Sequence, residues 1–286
     1  MIGLLFLLPV VWMGLEPGAM ALGLGGLLLA GGALGGLVGG LDRLLSAAVA
    51  WERVAPLWRA ADRQALPGEV QTGLALAREP AVVGQRVLDA QGISFHFPGR
   101  TNLLTGVGVE LRAGDRVLVE GPSGGGKSTL ASLLAALRRP QEGMILLRGY
   151  DLPSVGELTW RRMVATAPQF HENHIFSQSL AFNLLMGAGW PASPQQQADA
   201  ARLCEELGLG PLLQRMPAGL RQQVGETGWQ LSHGERSRVY LARALLQGAE
   251  VVILDESFGA LDPETQVQAL RTARRVAKTL VVIAHP

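Results

Sequence analysis

The chain has 286 residues, which is enough for about two domains, and 25 Lys and Arg residues nearly balance 24 Asp and Glu residues. A net charge of +1 provides no basic field, so the composition disfavours a nucleic-acid-binding protein. The single cysteine, Cys204, excludes an internal disulfide and indicates a reducing compartment. The first fifty residues hold 12 of the 37 glycines and only three charges, so the two ends of the chain differ chemically.

Residues 19–41 contain no charged side chain. As a helix they would span about 35 Å, enough to cross a hydrocarbon core of ~30 Å. Residues 1–15 are apolar but short for a span, and Glu16-Pro17-Gly18 separates the two runs. We therefore expect a hairpin of two membrane segments, the first one curtailed. A signal peptide is the alternative, with a cleavage-like Ala-Val-Ala at 48–50, but the apolar run is too long and lacks a preceding basic region.

Glycines recur every four residues in the second apolar run, in two adjacent rows. These are Gly32, Gly36 and Gly40, and Gly31, Gly35 and Gly39. The spacing favours close helix packing in lipid, although a glycine-rich composition explains it equally well. Beyond Asp42 the pattern is amphipathic and four arginines follow within about twenty residues, which places this end in the cytoplasm by the positive-inside rule. Residues 67–84 read as a linker.

From Val87 onward short β-rich runs alternate with helical ones, which predicts an α/β domain with a largely parallel sheet. Residues 117–120 form a predicted strand, 130–137 a predicted helix, and the loop between them has the GxxxxGK[ST] pattern of a P-loop. The predicted nucleotide-binding residues are Gly121, Pro122, Ser123, Gly124, Gly125, Gly126, Lys127, Ser128 and Thr129. In such a loop backbone N–H groups surround phosphates, Lys127 reaches the β- and γ-phosphates, and the Ser128 hydroxyl binds Mg²⁺.

Two further apolar strands are predicted, over 251–254 and 279–284, and each ends in polar residues. Because ligands bind at the carboxyl ends of parallel strands, Asp255, Glu256 and His285 should lie beside the P-loop. We expect Asp255 to bind Mg²⁺, Glu256 to polarise the attacking water, and His285 to contact the γ-phosphate or hold that geometry. An ordinary helix N-cap is the alternative for Asp255 and Glu256.

With these motifs the chain resembles the ATP-binding cassette (ABC) family over about two hundred residues. Residues 231–235, Leu-Ser-His-Gly-Glu, are similar to the family signature LSGGQ, about twenty residues before the acidic strand. Gln169 is similar to the Q-loop glutamine, Asp262 to the D-loop aspartate, His285 to the switch histidine, and Phe97 to the aromatic residue that stacks on adenine. The resemblance implies an α/β P-loop ATPase domain with a helical subdomain, preceded by an all-α transmembrane segment, and assigns Gln169 both to Mg²⁺ and to catalysis.

Residues 224–228, Val-Gly-Glu-Thr-Gly, and residues 175–183 resemble stretches of the exporter branch of this family. The N-terminal piece resembles the end of an exporter's last membrane helix, which continues into the cassette. The resemblance implies that residues 1–66 end a transmembrane domain, 67–84 are the linker, and 85–286 form the ATP-binding domain. Since an exporter subunit has more membrane helices and a longer cassette, we expect a piece of a longer protein, incomplete at both ends.

The implied activity is ATP binding and hydrolysis, with Mg²⁺, that drives export of a substrate across the cytoplasmic membrane. In this family two cassettes close head to tail, so Ser232, Gly234 and Asp262 would act on the nucleotide of the partner subunit. The expected partners are a second ABC subunit, in a homodimer or a heterodimer, membrane lipid, and a transported substrate that the sequence does not identify. The ATP-binding domain would lie in the cytoplasm.

Three residues depart from the family pattern: His233 replaces a signature glycine, Glu235 the glutamine, and Gly259 the usual D-loop serine. An extra imidazole or carboxylate near the site could slow turnover, which leaves open a slow or non-hydrolysing half of an asymmetric heterodimer. Glu256 favours an active ATPase, because a cassette without turnover usually lacks it. A soluble P-loop phosphotransferase with an apolar anchor is a further alternative, against which the signature argues.

Overall fold

The computed structural model describes residues 17–61, 76, 79–99 and 103–284. The chain divides into two units, residues 1–64 and residues 65–286. The first predicted membrane segment, most of the predicted linker, and His285 lie outside the described residues. The predicted boundaries at 66 and 84 therefore stay predictions.

The described part of the first unit is one helix, α1 (Pro17–Ala61), of 45 residues and about 68 Å. Proline is well tolerated in a first helical turn because its missing N–H would have no partner there. Within α1, Gly25–Glu52 is the one described segment that is long and apolar enough to cross a membrane, judged by length and composition. This segment overlaps the predicted span 19–41 but extends beyond Asp42 and Arg43, since residues 44–51 are again uncharged.

The described residues of the second unit form two four-stranded sheets. The antiparallel sheet has the order β2–β1–β4–β5, formed by β1 (Arg86–Phe95), β2 (Leu104–Arg112), β4 (Glu142–Leu147) and β5 (Tyr150–Asp151). The parallel sheet has the order β3–β8–β7–β6, formed by β3 (Arg116–Val119), β6 (Val164–Ala167), β7 (Val251–Asp255) and β8 (Thr279–Ile283). The prediction of a largely parallel sheet is correct for the second sheet and missed the first. The short connection between β1 and β2 permits a hairpin but is too short for a crossover helix.

Four of the α-helices that the structure describes in the second unit lie in the segment between β6 and β7. The helices are α2 (Lys127–Leu134), α3 (Leu152–Val155), α4 (Glu157–Met163), α5 (Leu180–Leu185), α6 (Pro194–Glu206), α7 (Gly210–Arg215), α8 (His233–Leu246) and α9 (Pro263–Val276), with 3-10 turns at Phe170–Glu172 and Gly219–Arg221. Helices α5 to α8 form the helical subdomain that the family resemblance implies.

Two hydrophobic clusters cover the two faces of the parallel sheet. Val251 and Ile253 of β7 pack with the antiparallel sheet and α2, whereas Val252 and Leu254 pack with the helical subdomain and α9. Such alternation is expected for a strand that is buried on both faces. The parallel sheet is thus held between two cores and forms a rigid base for its carboxyl edge.

Candidate nucleotide site

The carboxyl ends of the parallel strands are aligned at one edge of the sheet. Val119 at the end of β3 and Asp255 at the end of β7 both pair with Ile283 of β8, and Ala167 at the end of β6 pairs with Leu254. The P-loop follows β3, Glu256 follows β7, and Gln169 lies two residues beyond β6. Strands β3 and β7 therefore bring the P-loop and the acidic pair to one edge, as the strand ends predict. Strand β6 adds Gln169, which only the family resemblance assigned to the site, and the predicted third member, His285, lies outside the described residues.

The P-loop ends in a tightly packed glycine. Gly126 has φ +84° and is the N-cap of α2, and a Cβ built on it would lie 2.8 Å from Leu104 Cδ2. Gly124 also has a positive φ, +76°, but a Cβ there would meet no atom within 4 Å. Because Gly126 turns the chain so sharply, α2 begins at Lys127, three residues before the predicted start. Leu134 ends the helix because Ala136 has φ +53°.

The ammonium group of Lys127 lies over the loop. It donates hydrogen bonds to the Gly121 carbonyl at 2.7 Å and the Pro122 carbonyl at 3.0 Å, and only 9% of the residue is exposed. The exposed or half-buried residues of the loop are Gly121, Pro122, Ser123, Gly124, Gly125, Ser128 and Thr129. The loop thus combines a fixed cation with accessible backbone, which is what phosphate binding requires.

Ser128 and Gln169, the predicted Mg²⁺ ligands that are 41 residues apart, meet directly. The Gln169 side chain donates from Nε2 to Ser128 Oγ at 3.1 Å. In the sheet, β3 and β6 are separated by two strands, a distance of about 14 Å. The contact forms because α2 lies against β7 and carries Ser128 across the sheet toward the end of β6.

Asp255 and Glu256 lie where β7 ends. Asp255 is only 3% exposed, and Glu256 has φ +47° and donates its backbone N–H to the Ile283 carbonyl at 3.0 Å. A left-handed conformation costs a residue other than glycine about 1–3 kcal/mol and is found most often at functional sites. No helix of the described chain begins at these two residues, since α9 begins at Pro263, so the alternative of an N-cap is wrong for them.

These side chains fit a magnesium site. The Ser128 hydroxyl, the Gln169 carboxamide and the buried Asp255 carboxylate all offer oxygen atoms, the ligands that Mg²⁺ prefers. The hydrogen bond between Ser128 and Gln169 already brings two of the three together.

Phe97 follows β1 and is half-buried. Its ring meets Phe95 edge-on, with the ring centroids 5.2 Å apart, and the Arg138 guanidinium lies 5.0 Å from its centroid. Stacking of adenine on this ring stays a prediction.

The signature helix begins where the sequence predicts. Ser232 is the N-cap of α8 and forms a capping box with Glu235: Ser232 N–H donates to Glu235 Oε2 at 2.8 Å, and Glu235 N–H donates to Ser232 Oγ at 3.2 Å. Burial alone would raise the pKa of Glu235, but the Ser232 hydrogen bonds and the Arg215 guanidinium outweigh it and hold that pKa below its usual range. The carboxylate is therefore held within its own subunit. The Ser-x-x-Glu spacing of residues 232–235 itself predicts a capping box. Comparison with LSGGQ treats Glu235 only as a departure from glutamine and so misses this role.

The other signature and D-loop residues lie close together. A Cβ at Gly234 would be 3.6 Å from the Ala260 carbonyl, which places the signature beside the D-loop. Asp262 is the N-cap of α9; its side chain accepts from Thr265 N–H at 3.0 Å, and this hydrogen bond lowers the pKa of Asp262. A Cβ at Gly259 would be 3.7 Å from its nearest atom, the Glu256 carbonyl oxygen, so a Cβ fits there in ordinary contact.

The two exporter-like stretches pair with each other. Val224 N–H donates to the Gln178 carbonyl and Leu180 N–H to the Gln222 carbonyl, each at 2.9 Å. The two stretches, which are far apart in sequence, thus meet in the helical subdomain, where Leu180 and Val224 are buried.

The site and the fold define a class of protein, the P-loop nucleotide-binding domains that carry a signature helix. The P-loop follows the first parallel strand, an acidic pair follows another, and a helical segment is inserted between β6 and β7. The family model described as ABC transporter matches residues 104–259, just over half of the chain, and the chain belongs to this family.

The relatives that it resembles are exporters and transporters. It is 34% identical over 206 residues to an "ATM1-type heavy metal exporter" of Novosphingobium aromaticivorans, covering 71% of this chain and 33% of that protein. It is 37% identical over 195 residues to the human "Iron-sulfur clusters transporter ABCB7, mitochondrial" (68% and 25%) and 36% identical over 211 residues to the "ATP-dependent lipid A-core flippase" of Thiobacillus denitrificans (73% and 35%). The solved structure of a bacterial Atm1-family ABC exporter with ATP bound matches with a TM-score of 0.65 and 30% identity, covering 82% of this chain and 39% of that chain. The chain thus spans about a third or less of the length of these curated relatives.

Proposed function

We propose that this chain is the ATPase part of an ABC exporter half-transporter, which binds and hydrolyses ATP in a dimer to drive a substrate across the cytoplasmic membrane. The similarity to exporters and transporters supports export as the direction of transport. Helix α1, with one segment of spanning length, supports attachment to the membrane.

The observation that carries the proposal is the hydrogen bond between Ser128 and Gln169. It joins the end of the P-loop to the loop after β6, on the same sheet edge that holds Asp255 and Glu256. The P-loop and the residues that would hold Mg²⁺ also serve nucleotide binding, whereas Glu256 on the same edge lies where turnover requires a base.

Each residue then has a chemical task. Lys127 and the backbone of residues 121–126 bind the phosphates, while Ser128, Gln169 and Asp255 would hold Mg²⁺. Mg²⁺, when bound, would neutralise charge on the β- and γ-phosphate oxygens. Glu256 would accept a proton from the attacking water and orient it toward the γ-phosphate. His285, which lies outside the described residues, is proposed to hold the γ-phosphate.

The second half of the site would come from the other subunit. Ser232 and Gly234 lie at the N-terminus of α8, where backbone N–H groups and the helix dipole favour an anion. We assign these residues, together with Asp262, to the nucleotide that is bound in the partner subunit's P-loop. ATP would then favour the closed pair of cassettes, and its hydrolysis would release them.

The two lysines of the chain provide a matched test. Lys127 lies in the P-loop, whereas Lys278 precedes β8 at the opposite end of the sheet and donates to the Gly248 carbonyl at 2.9 Å. In the complete protein, purified and returned to lipid vesicles, Lys127→Ala should weaken ATP binding about 10- to 100-fold, since it removes charge-assisted hydrogen bonds, and should stop hydrolysis. Lys278→Ala should leave affinity and turnover within about twofold of the unmodified protein. Equal ATP affinity in the two variants would contradict the proposed phosphate site.

A further inference from the structure

The ring of Phe170, the residue after Gln169, is surrounded by side chains of the signature helix. The His233 ring stacks on it with the centroids 5.0 Å apart and the planes 18° from parallel. The Arg236 guanidinium lies 5.6 Å from the Phe170 centroid, and the Tyr240 ring lies 5.8 Å from it. Phe170 is therefore held by the first two turns of α8.

The three side chains that hold Phe170 belong to one face of α8, because residues three and seven positions apart lie above one another on a helix. The same face continues to Arg243, which is 8% exposed and donates to Asn173 Oδ1 and the His174 carbonyl at 3.0 Å and to the Asn183 carbonyl at 2.7 Å. Burial lowers the pKa of Arg243. The segment 170–174 thus runs along α8 and is fixed to it at both ends.

This attachment connects two parts of the chemistry. On one side, Phe170 is the chain neighbour of Gln169, whose side chain donates to Ser128 Oγ at 3.1 Å. On the other side, Phe170 stacks on His233, which is the first residue of α8 and follows the N-cap Ser232. The stacked rings therefore connect the first turn of α8 to Gln169.

We propose that His233, at a position where the family signature has glycine, is a positioning residue that aligns Gln169 in its own subunit through Phe170. A glycine has no ring to place on Phe170, so the stack belongs to this chain's departure from the pattern. His233 acts through its ring face and not by contact with the nucleotide. The inference rests on the proposed ATPase function.

The test is a double-variant cycle on MgATP hydrolysis by the complete protein in lipid vesicles, with His233→Gly, Phe170→Leu and the pair. An aromatic contact changes an equilibrium constant by about two- to tenfold. Each single variant should therefore lower kcat by about two- to tenfold. The KM for ATP should stay within about twofold because Lys127 and the P-loop are unchanged. The pair should be no slower than Phe170→Leu alone, since both substitutions break the same contact.

His233→Phe separates ring stacking from imidazole chemistry. It keeps an aromatic ring on Phe170, so kcat should recover to within about twofold of the unmodified protein. The inference is overturned if His233→Phe is as slow as His233→Gly, or if His233→Gly still lowers kcat in the Phe170→Leu background. Either result would mean that stacking on Phe170 does not explain the effect of His233.

A matched control and a background rate make the outcome unambiguous. His171 is exposed in the same 3-10 turn as Phe170, and His171→Ala should leave kcat unchanged. Unmodified protein that hydrolyses no more ATP than Glu256→Gln would refute the proposed ATPase function itself. Normal hydrolysis with a His233→Gly kcat equal to that of the unmodified protein would refute only the role of His233.

Discussion

The Glu235 carboxylate occupies a buried position between the Ser232 backbone and the Arg215 guanidinium. A glutamate at this point of the signature suggests an extra negative charge beside the phosphates of a bound nucleotide. The structure instead uses that charge to cap α8 and to connect it to α7. The departure from LSGGQ at Glu235 is therefore compatible with an active composite site.

Glu235→Gln should change how folding stability depends on pH. The folded pKa of Glu235 lies below its ordinary value of 4.5, so its contribution is complete above that pH and is lost as the pH falls through the folded pKa. The glutamine still accepts the Ser232 N–H but loses the ion pair with the partly exposed Arg215. At pH 7 the variant should be less stable by under about 1 kcal/mol, and the difference should shrink below about pH 4.

Urea unfolding of the complete protein in detergent, measured from pH 7 to pH 3, checks this prediction. Glu226→Gln removes an exposed carboxylate from the same subdomain and serves as the control. A stability difference for Glu235→Gln that stays constant over the whole range would show that the charge of Glu235 contributes nothing.

At the scale of elements, the P-loop and α2 depend on the antiparallel sheet that lies beside them. Leu104 of β2 fills the space next to Gly126, so the strand and the loop fix each other. In Gly126→Ala the new methyl group meets both a positive φ and Leu104, whereas in Gly124→Ala it meets only a positive φ. We expect Gly126→Ala to destabilise the protein by about 1–3 kcal/mol more than Gly124→Ala, measured by denaturant unfolding without nucleotide. Equal losses would show that Leu104 moves aside without cost.

Local patterns predict the elements that carry their own signals. The P-loop, the apolar strand before Asp255 and the start of α8 at Ser232 are all readable because each rests on residues that are close in sequence. The antiparallel sheet was missed because its pairing is set by the connection lengths and not by residue type.

Contacts between distant residues are what the sequence does not show. The family resemblance assigned Gln169 and Ser128 to one Mg²⁺, but neither the hydrogen bond between them nor the stack of His233 on Phe170 was expected. The ion pair of Arg215 with Glu235 could not be predicted from the sequence either. Each depends on how the helical subdomain lies against the parallel sheet, a consequence of the packing of many side chains at once.

At the scale of the whole molecule, the chain combines a long apolar helix with an ATP-binding domain of the ABC transporter family. The two units are joined through a segment that lies mostly outside the described residues. We propose that the domain converts ATP hydrolysis into movement of membrane helices. For this to hold, the site must turn ATP over and not merely bind it.

Glu256 distinguishes these two possibilities, because its proposed task lies in hydrolysis and not in binding. The measurement is phosphate release at saturating MgATP by the complete protein in lipid vesicles, with bound ATP quantified in the same samples, for the unmodified protein and for Glu256→Gln. We expect Glu256→Gln to retain ATP binding. Its rate of phosphate release should fall by about 100-fold or more, as loss of a general base predicts. Phosphate release at the unmodified rate by Glu256→Gln would contradict the account.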